Sequence, residues 1–170
     1  YRLMRIISGN FKGKKISLPK NKKTRPLRDL VKESIFNLLE HSNKFELTIQ
    51  NSLILDLFSG TGSFGLECIS RGAKEVTFIE NYKEVLGVLR KNIENFNAEK
   101  ESNIIEEDCF NYFNKSAISS IKYDLIFIDP PFKEKKTNLL IEMIKKKNFL
   151  KQSGILIIHR HFKDNIKITH

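Results

Sequence analysis

Two short stretches of this chain set reactive residue types where a protein could use them. In the first, Asp129-Pro130-Pro131-Phe132 follows the apolar run Asp124-Leu125-Ile126-Phe127-Ile128. Successive prolines cannot continue a hydrogen-bonded ladder and hold the chain extended, so the carbonyls of Asp129 and Pro130 are aimed at fixed positions. An aryl amine is a poor nucleophile because its lone pair is delocalised into the ring. A carboxylate and a backbone carbonyl accepting from both of its N–H bonds would turn that nitrogen toward tetrahedral geometry and face the lone pair toward an electrophile. Phe132 would stack on the ring, an interaction worth about 1 to 3 kcal/mol per base on aromatic platforms. Asp129, Pro130, Pro131 and Phe132 are the expected catalytic set.

The second stretch, Asp56-Leu57-Phe58-Ser59-Gly60-Thr61-Gly62-Ser63-Phe64-Gly65, reads as a strand running through a glycine turn into a helix. Gly60, Gly62 and Gly65 satisfy the dinucleotide spacing, and Glu80 falls where a ribose-binding acid belongs. Asp56 argues against a nicotinamide cofactor, since a carboxylate beside the turn repels a pyrophosphate and attracts an ammonium group. S-adenosylmethionine suits the acids better. Its α-ammonium group would meet the Asp56 region, its ribose hydroxyls Glu80, and its adenine amine Asp108. Phe58, Thr61, Asn81 and Cys109 adjoin these positions and complete the expected cofactor set.

These residues need a frame, and the hydrophobic pattern supplies one. From Leu53 onward, short branched runs alternate with helix-spaced ones, the βαβ signature of a mostly parallel α/β sheet with helices on both faces. Strands are expected at Leu53–Phe58, Glu75–Glu80, around Ile104 and Ile105, at Asp124–Asp129 and at Gly154–Ile158. Helices are expected at Ser63–Arg71, at Tyr82–Phe96 and around Leu139–Ile144. Ahead of them, Leu27, Val31, Ile35, Leu38 and Leu39 predict an amphipathic helix with Pro26 near its start. After residue 162 only Ile166 and Ile168 alternate, which predicts a sheet incomplete at its C-terminal edge.

The 170 residues, 40% hydrophobic, allow one cored unit and a small appendage. The net charge of +10 is localised. Residues 1–28 hold ten Lys or Arg and no acid, and the remainder balances at 20 of each sign. Such a basic segment suits a polyanion, because each neutralised phosphate releases a counterion. Gly9 to Gly13 lies between two strand-like runs, so residues 1–23 are expected to form a basic RNA-binding β-hairpin and residues 24–170 the catalytic domain. Arg5, Lys12, Lys14, Lys15, Arg25 and Arg28 are the expected RNA contacts, and removing residues 4–19 should weaken RNA binding while sparing the cofactor. Cys68 and Cys109 lack metal-site spacing, which predicts neither zinc nor disulfide. No apolar run reaches the roughly 20 residues of a membrane span. A cytoplasmic, metal-free monomer is the expectation.

The glycine-turn string D-L-F-S-G-T-G-S-F-G-L-E and the D-P-P-F corner together resemble class I methyltransferases acting on amino groups of adenine, cytosine or guanine. M-R-I-I-S-G-N-F-K-G-K-K-I from Met4 to Ile16 and T-R-P-L-R-D-L-V-K-E-S-I-F-N-L-L from Thr24 to Leu39 are similar to the RsmD family in particular. The resemblance spans Met4 to about His159. It implies a Rossmann-like methyltransferase sheet and methylation of the guanine N2 amino group in 16S ribosomal RNA of the small subunit, with S-adenosylhomocysteine as product. Two departures stand out: the family's corner usually closes with Tyr where this chain has Phe132, and its closing strand hairpin is represented here by at most its beginning. Two alternatives remain open: an amino-methyltransferase acting on DNA adenine N6 or cytosine N4, and a nucleic-acid-binding module with a vestigial cofactor site.

Overall fold

A computed structural model describes residues 4–21, 26–160 and 165–169. The branched, apolar runs become β1 (Leu53–Leu57), β2 (Glu75–Glu80), β3 (Ser102–Glu106), β4 (Tyr123–Ile128) and β5 (Leu150–Arg160), all parallel. At the C-terminal edge, expected to hold at most the beginning of a closing hairpin, a single strand β6 (Asn165–Thr169) is described after β5 and pairs antiparallel to it with Ile157 opposite Ile168. The sheet order is β3-β2-β1-β4-β5-β6. The winding therefore reverses between β1 and β4, and beyond their carboxyl ends such sheets leave a crevice for ligands.

Strand alternation sends two sets of side chains into two cores. Ile54, Val76, Phe78, Leu125, Phe127, Ile155 and Ile157 pack under α1 (Asp29–His41), α2 (Ser63–Ser70) and α3 (Lys83–Asn95). Leu55, Leu57, Ile79, Ile126, Ile128, Leu156 and Ile158 pack under α4 (Cys109–Lys115) and α5 (Thr137–Lys146). Branched residues are thus buried on both faces, as a parallel sheet covered on both sides requires. Helix α4 has no counterpart in the sequence expectation. Its signal is local: Asp108 caps it by accepting from the Asn111 N–H at 3.0 Å, and Cys109 and Phe113 form its buried face.

The N-terminal arm doubles back on itself over a short span: around the antiparallel Arg5–Lys15 bridge, the Ile6 N–H donates to the Lys14 carbonyl at 2.9 Å, the Ile16 N–H to the Met4 carbonyl at 2.8 Å and the Gly13 N–H to the Ile6 carbonyl at 2.8 Å. Beyond Ile6 the amides turn to α2 and do not extend this pairing. The Ile7 and Ser8 N–H groups donate to the Glu67 carboxylate at 2.8 and 3.1 Å, and the Phe11 N–H to Ser70 Oγ at 2.9 Å. Met4, Ile6 and Ile16 enter the same core as α1 and α2. Lys32, fully buried, donates to the Arg5 carbonyl at 2.8 Å and to Ser63 Oγ at 3.2 Å, and lies 3.4 Å from Glu67. Burial pulls its pKa below the usual lysine value against the attraction of Glu67. Helix α1 begins later than expected. Arg28 is its extended N-cap, so Pro26 lies outside the helix, and Leu38 from the predicted stripe is 42% exposed.

Candidate active site

Strand register brings the chemistry to one edge. Leu57 pairs with Ile79 and with Ile128, and Ile128 pairs with Ile158. The residues just beyond those partners therefore stand side by side: Phe58 after β1, Glu80 at the end of β2, Asp129 after β4 and His159 on β5. Together with Asp108 beyond β3, the first three help enclose a cavity of about 520 Å³. Among the expected site residues, Asp56, Phe58, Gly60, Thr61, Glu80, Asn81, Asp108, Asp129, Pro130, Pro131 and Phe132 line it. Both motifs face one space. Gly62, Gly65 and Cys109 are not among its lining residues.

The glycines have distinct physical reasons. Gly60 and Gly62 adopt φ of 57° and 84°, and Phe58 takes the same left-handed region at 55° without being glycine, so the turn holds backbone strain beside the cavity. A Cβ on Gly65 would fall 2.2 Å from the Phe78 ring, so that glycine lets α2 close on the sheet. The turn is fixed from behind. Glu80 accepts from the Gly60 N–H at 2.9 Å and the Tyr82 N–H at 3.2 Å, and buried Asn92 donates to the Thr61 carbonyl at 2.9 Å.

Asp56 is 1% exposed and accepts from the Gly65 N–H at 3.1 Å, in the first turn of α2. Burial holds its carboxyl well above the usual carboxylate range, opposed by that N–H and reinforced by the charges of Asp129 and Glu80. A cation entering beside it would favour the charged form. Cys109 is buried in the α4 core, and burial pushes its thiol up to about 12. That makes it a packing group rather than a nucleophile at neutral pH.

The residue set fits a ligand carrying both charge and hydroxyl groups. Ser59 Oγ is buried in the cavity wall with no hydrogen-bond partner among the described residues, and a buried hydroxyl left so is costly unless something binds to it. The carboxylates along the wall suit an ammonium and a ribose rather than a phosphate. Across the cavity, Phe132 is 68% exposed, a surface cost for an aromatic ring that stacking would recover. Phe64 stacks on Phe127 at 3.9 Å and on Phe36 at 5.2 Å, joining α1, α2 and β4 beneath the site.

Sequence reasoning missed several participants. Pro26 and Leu27 line the cavity just ahead of α1. Ser59 sits inside the glycine motif and was legible by position. His159, 2% exposed, places Nδ1 3.0 Å from Asp129 Oδ1, a pairing visible only once β4 and β5 are neighbours. Of the expected RNA contacts, Arg5, Lys12, Lys14, Lys15 and Arg28 are exposed, with Lys14 Nζ 4.9 Å from the centre of the Phe11 ring; Arg25 lies outside the described residues.

Comparison with known proteins places this arrangement. Ribosomal RNA small subunit methyltransferase D of Haemophilus influenzae is 33% identical over 167 residues, covering 98% of this chain and 82% of that protein. The protein of the same name from Buchnera aphidicola, from the pea-aphid subspecies, is 34% identical over 161 residues, covering 95% and 80%. A solved structure from Haemophilus influenzae, provisionally assigned as a methylase, superposes with a TM-score of 0.73 at 30% identity, covering 94% of this chain and 82% of that one. The family described as Conserved hypothetical protein 95 matches residues 4–169, and on these grounds the chain belongs to that family, the RsmD family, with its Rossmann-like methyltransferase fold.

Proposed function

We propose that this protein transfers a methyl group from S-adenosylmethionine to the exocyclic N2 amino group of a guanine in small-subunit ribosomal RNA. One observation carries the reading: the Asp129-Pro130-Pro131-Phe132 corner and the acid-lined glycine turn open into the same cavity. When bound, the cofactor supplies an electrophilic methyl on a sulfonium, which leaves as a thioether with the electrons of the broken C–S bond. Glu80 is suited to hold the ribose hydroxyls, Asp108 the adenine amine, and Ser59 with Asp56 the amino-acid end.

On the other side, Phe132 stacks on the base, while Asp129 and the Pro130 carbonyl accept from its amine. The nitrogen lone pair forms the new N–C bond, and the proton that the nitrogen then sheds passes to Asp129 or to water. Holding amine and methyl at near-attack distance supplies several kcal/mol of the barrier reduction. Exposed Lys12, Lys14 and Lys15 on the arm provide phosphate contacts that dock the RNA. The names carried by the relatives support ribosomal RNA as the substrate class.

The test supplies labelled S-adenosylmethionine with either small ribosomal subunits from cells lacking the protein or duplex DNA. Digestion to nucleosides should place the label on N2-methylguanosine from the subunits. Label on DNA adenine or cytosine, or none anywhere, would overturn the reading.

A further inference from the structure

Asp129 is held by a residue outside the D-P-P-F motif. Asp129 follows β4 and His159 sits on β5; their preceding residues Ile128 and Ile158 pair in register. Both side chains point toward the face shared with Phe127 and Ile157, and the Nδ1 to Oδ1 distance is 3.0 Å. His159 is almost wholly buried, its side chain 2% exposed against 13% for Asp129, so the ring cannot swing away without opening the core. A buried imidazole is desolvated at a cost that only a committed hydrogen bond offsets. The carboxylate it meets lies at the wall of the cavity, where a small rotation about χ2 would misaim both oxygens.

We infer that His159 is a positioning residue for methyl transfer: its Nδ1–H donates to Asp129 Oδ1 and fixes the carboxylate in the orientation that receives the target amine. The inference rests on the proposed role of Asp129 and adds a partner to it. A ring donating through Nδ1 keeps one carboxylate oxygen in place, so the amine meets a preset acceptor and not a rotor. Misplacement by about 1 Å at a reacting centre can cost on the order of 100-fold in rate.

The experiment compares His159→Leu, which removes the donor, with His159→Asn, whose side-chain amide can donate from near the Nδ1 position. Kinetics use small ribosomal subunits, and calorimetry with S-adenosylhomocysteine reads the cofactor site. The expected result for His159→Leu is a fall in kcat of about 10- to 100-fold, with S-adenosylhomocysteine affinity within a few fold of the parent. His159→Asn should recover most of the loss. In an Asp129→Ala background, His159→Leu should change nothing further, since the two act as one unit.

A readout independent of turnover is the imidazole itself. Long-range nitrogen–proton NMR of the unliganded protein, assigned with the His159 variants, should show a proton on Nδ1 that responds to Asp129→Ala. Equal losses in His159→Leu and His159→Asn would reduce His159 to packing and overturn the inference, as would a bare Nδ1 in the parent, a measurement that holds even if the Leu variant fails to fold. Activity surviving in Asp129→Ala would instead sink the underlying role of Asp129, so the two failures are distinguishable.

Discussion

The two walls of the cavity are built differently. On the wall made by β1, β2 and β3, backbone amides of nearby chain hold the acids: Asp56 by Gly65, Glu80 by Gly60 and Tyr82, Asp108 by Asn111. On the β4 wall, Asp129 is met by the side chain of His159 from the next strand, and Phe132 stands 68% exposed. Backbone donors are set once the turn folds, so the first wall is a rigid receptor. The second wall depends on side chains and an open ring, which suits a group that must accept a large, separately docked substrate. Under the proposed function, binding and chemistry would fall on opposite sides of one cavity.

If that division holds, the largest effect belongs to Asp129→Ala, expected to lower kcat by about 100- to 10,000-fold while S-adenosylhomocysteine affinity stays within a few fold. Calorimetry beside single-turnover kinetics checks both halves, and a parallel loss of cofactor binding would erase the distinction. Next comes Glu80→Gln. Losing the charge and one of two acceptor oxygens should weaken cofactor binding by about 10- to 100-fold, with kcat near the parent value once cofactor saturates.

Smaller is Phe132→Ala, which forfeits a stacking platform worth about 1 to 3 kcal/mol and should raise KM for ribosomal subunits without moving cofactor affinity. The smallest is Asp56→Asn. Because burial raises the folded-state pKa of Asp56, the folded chain holds a proton that the unfolded chain releases, and stability falls as pH rises through that value. Asparagine removes this loss and should raise Tm at alkaline pH by a few degrees. An incoming ammonium favours the ionised carboxylate, so cofactor affinity in the parent should rise with pH, and Asp56→Asn should flatten that slope. A variant with lower Tm and an unchanged slope would show that Asp56 only caps the turn.

The same contrast explains what the sequence disclosed. Every partner on the receptor wall is local or follows a fixed spacing, from Asp108 with Asn111 to Glu80 with Gly60, so strand, turn and acid could be located from residue types alone. The bounds of β1 and β4 followed to within a residue because Leu-Ile-Leu and Leu-Ile-Phe-Ile runs fit only a sheet covered on both faces, whereas β5, expected at Gly154–Ile158, extends over Leu150–Arg160. The partner of Asp129 was hidden because it lies 30 residues away, and its closeness depends on which strands become neighbours. The docking of the arm was hidden for a related reason. Its cross-strand bonds reach only Ile6 and Gly13, beyond which Glu67 and Ser70 on α2 take the amides of Ile7, Ser8 and Phe11, and no local pattern in residues 4–18 announces them. Asn165–Thr169 shows the opposite case, a weak alternation that becomes a strand because β5 offers it an edge.

Lys32 and Asn92 carry a consequence for how such a protein can change over generations. Lys32 joins the Arg5 carbonyl to Ser63, and Asn92 exchanges hydrogen bonds with Ser17 while donating to the Thr61 carbonyl, so both tie the basic segment to residues of the cavity wall. Excising residues 4–19 would strand those buried groups at roughly 1 to 3 kcal/mol each, and the cavity wall would loosen with them. The segment is no detachable cassette. If its outward lysines dock RNA as proposed, a lineage adapting to another RNA would have to repaint them and leave the inward backbone untouched.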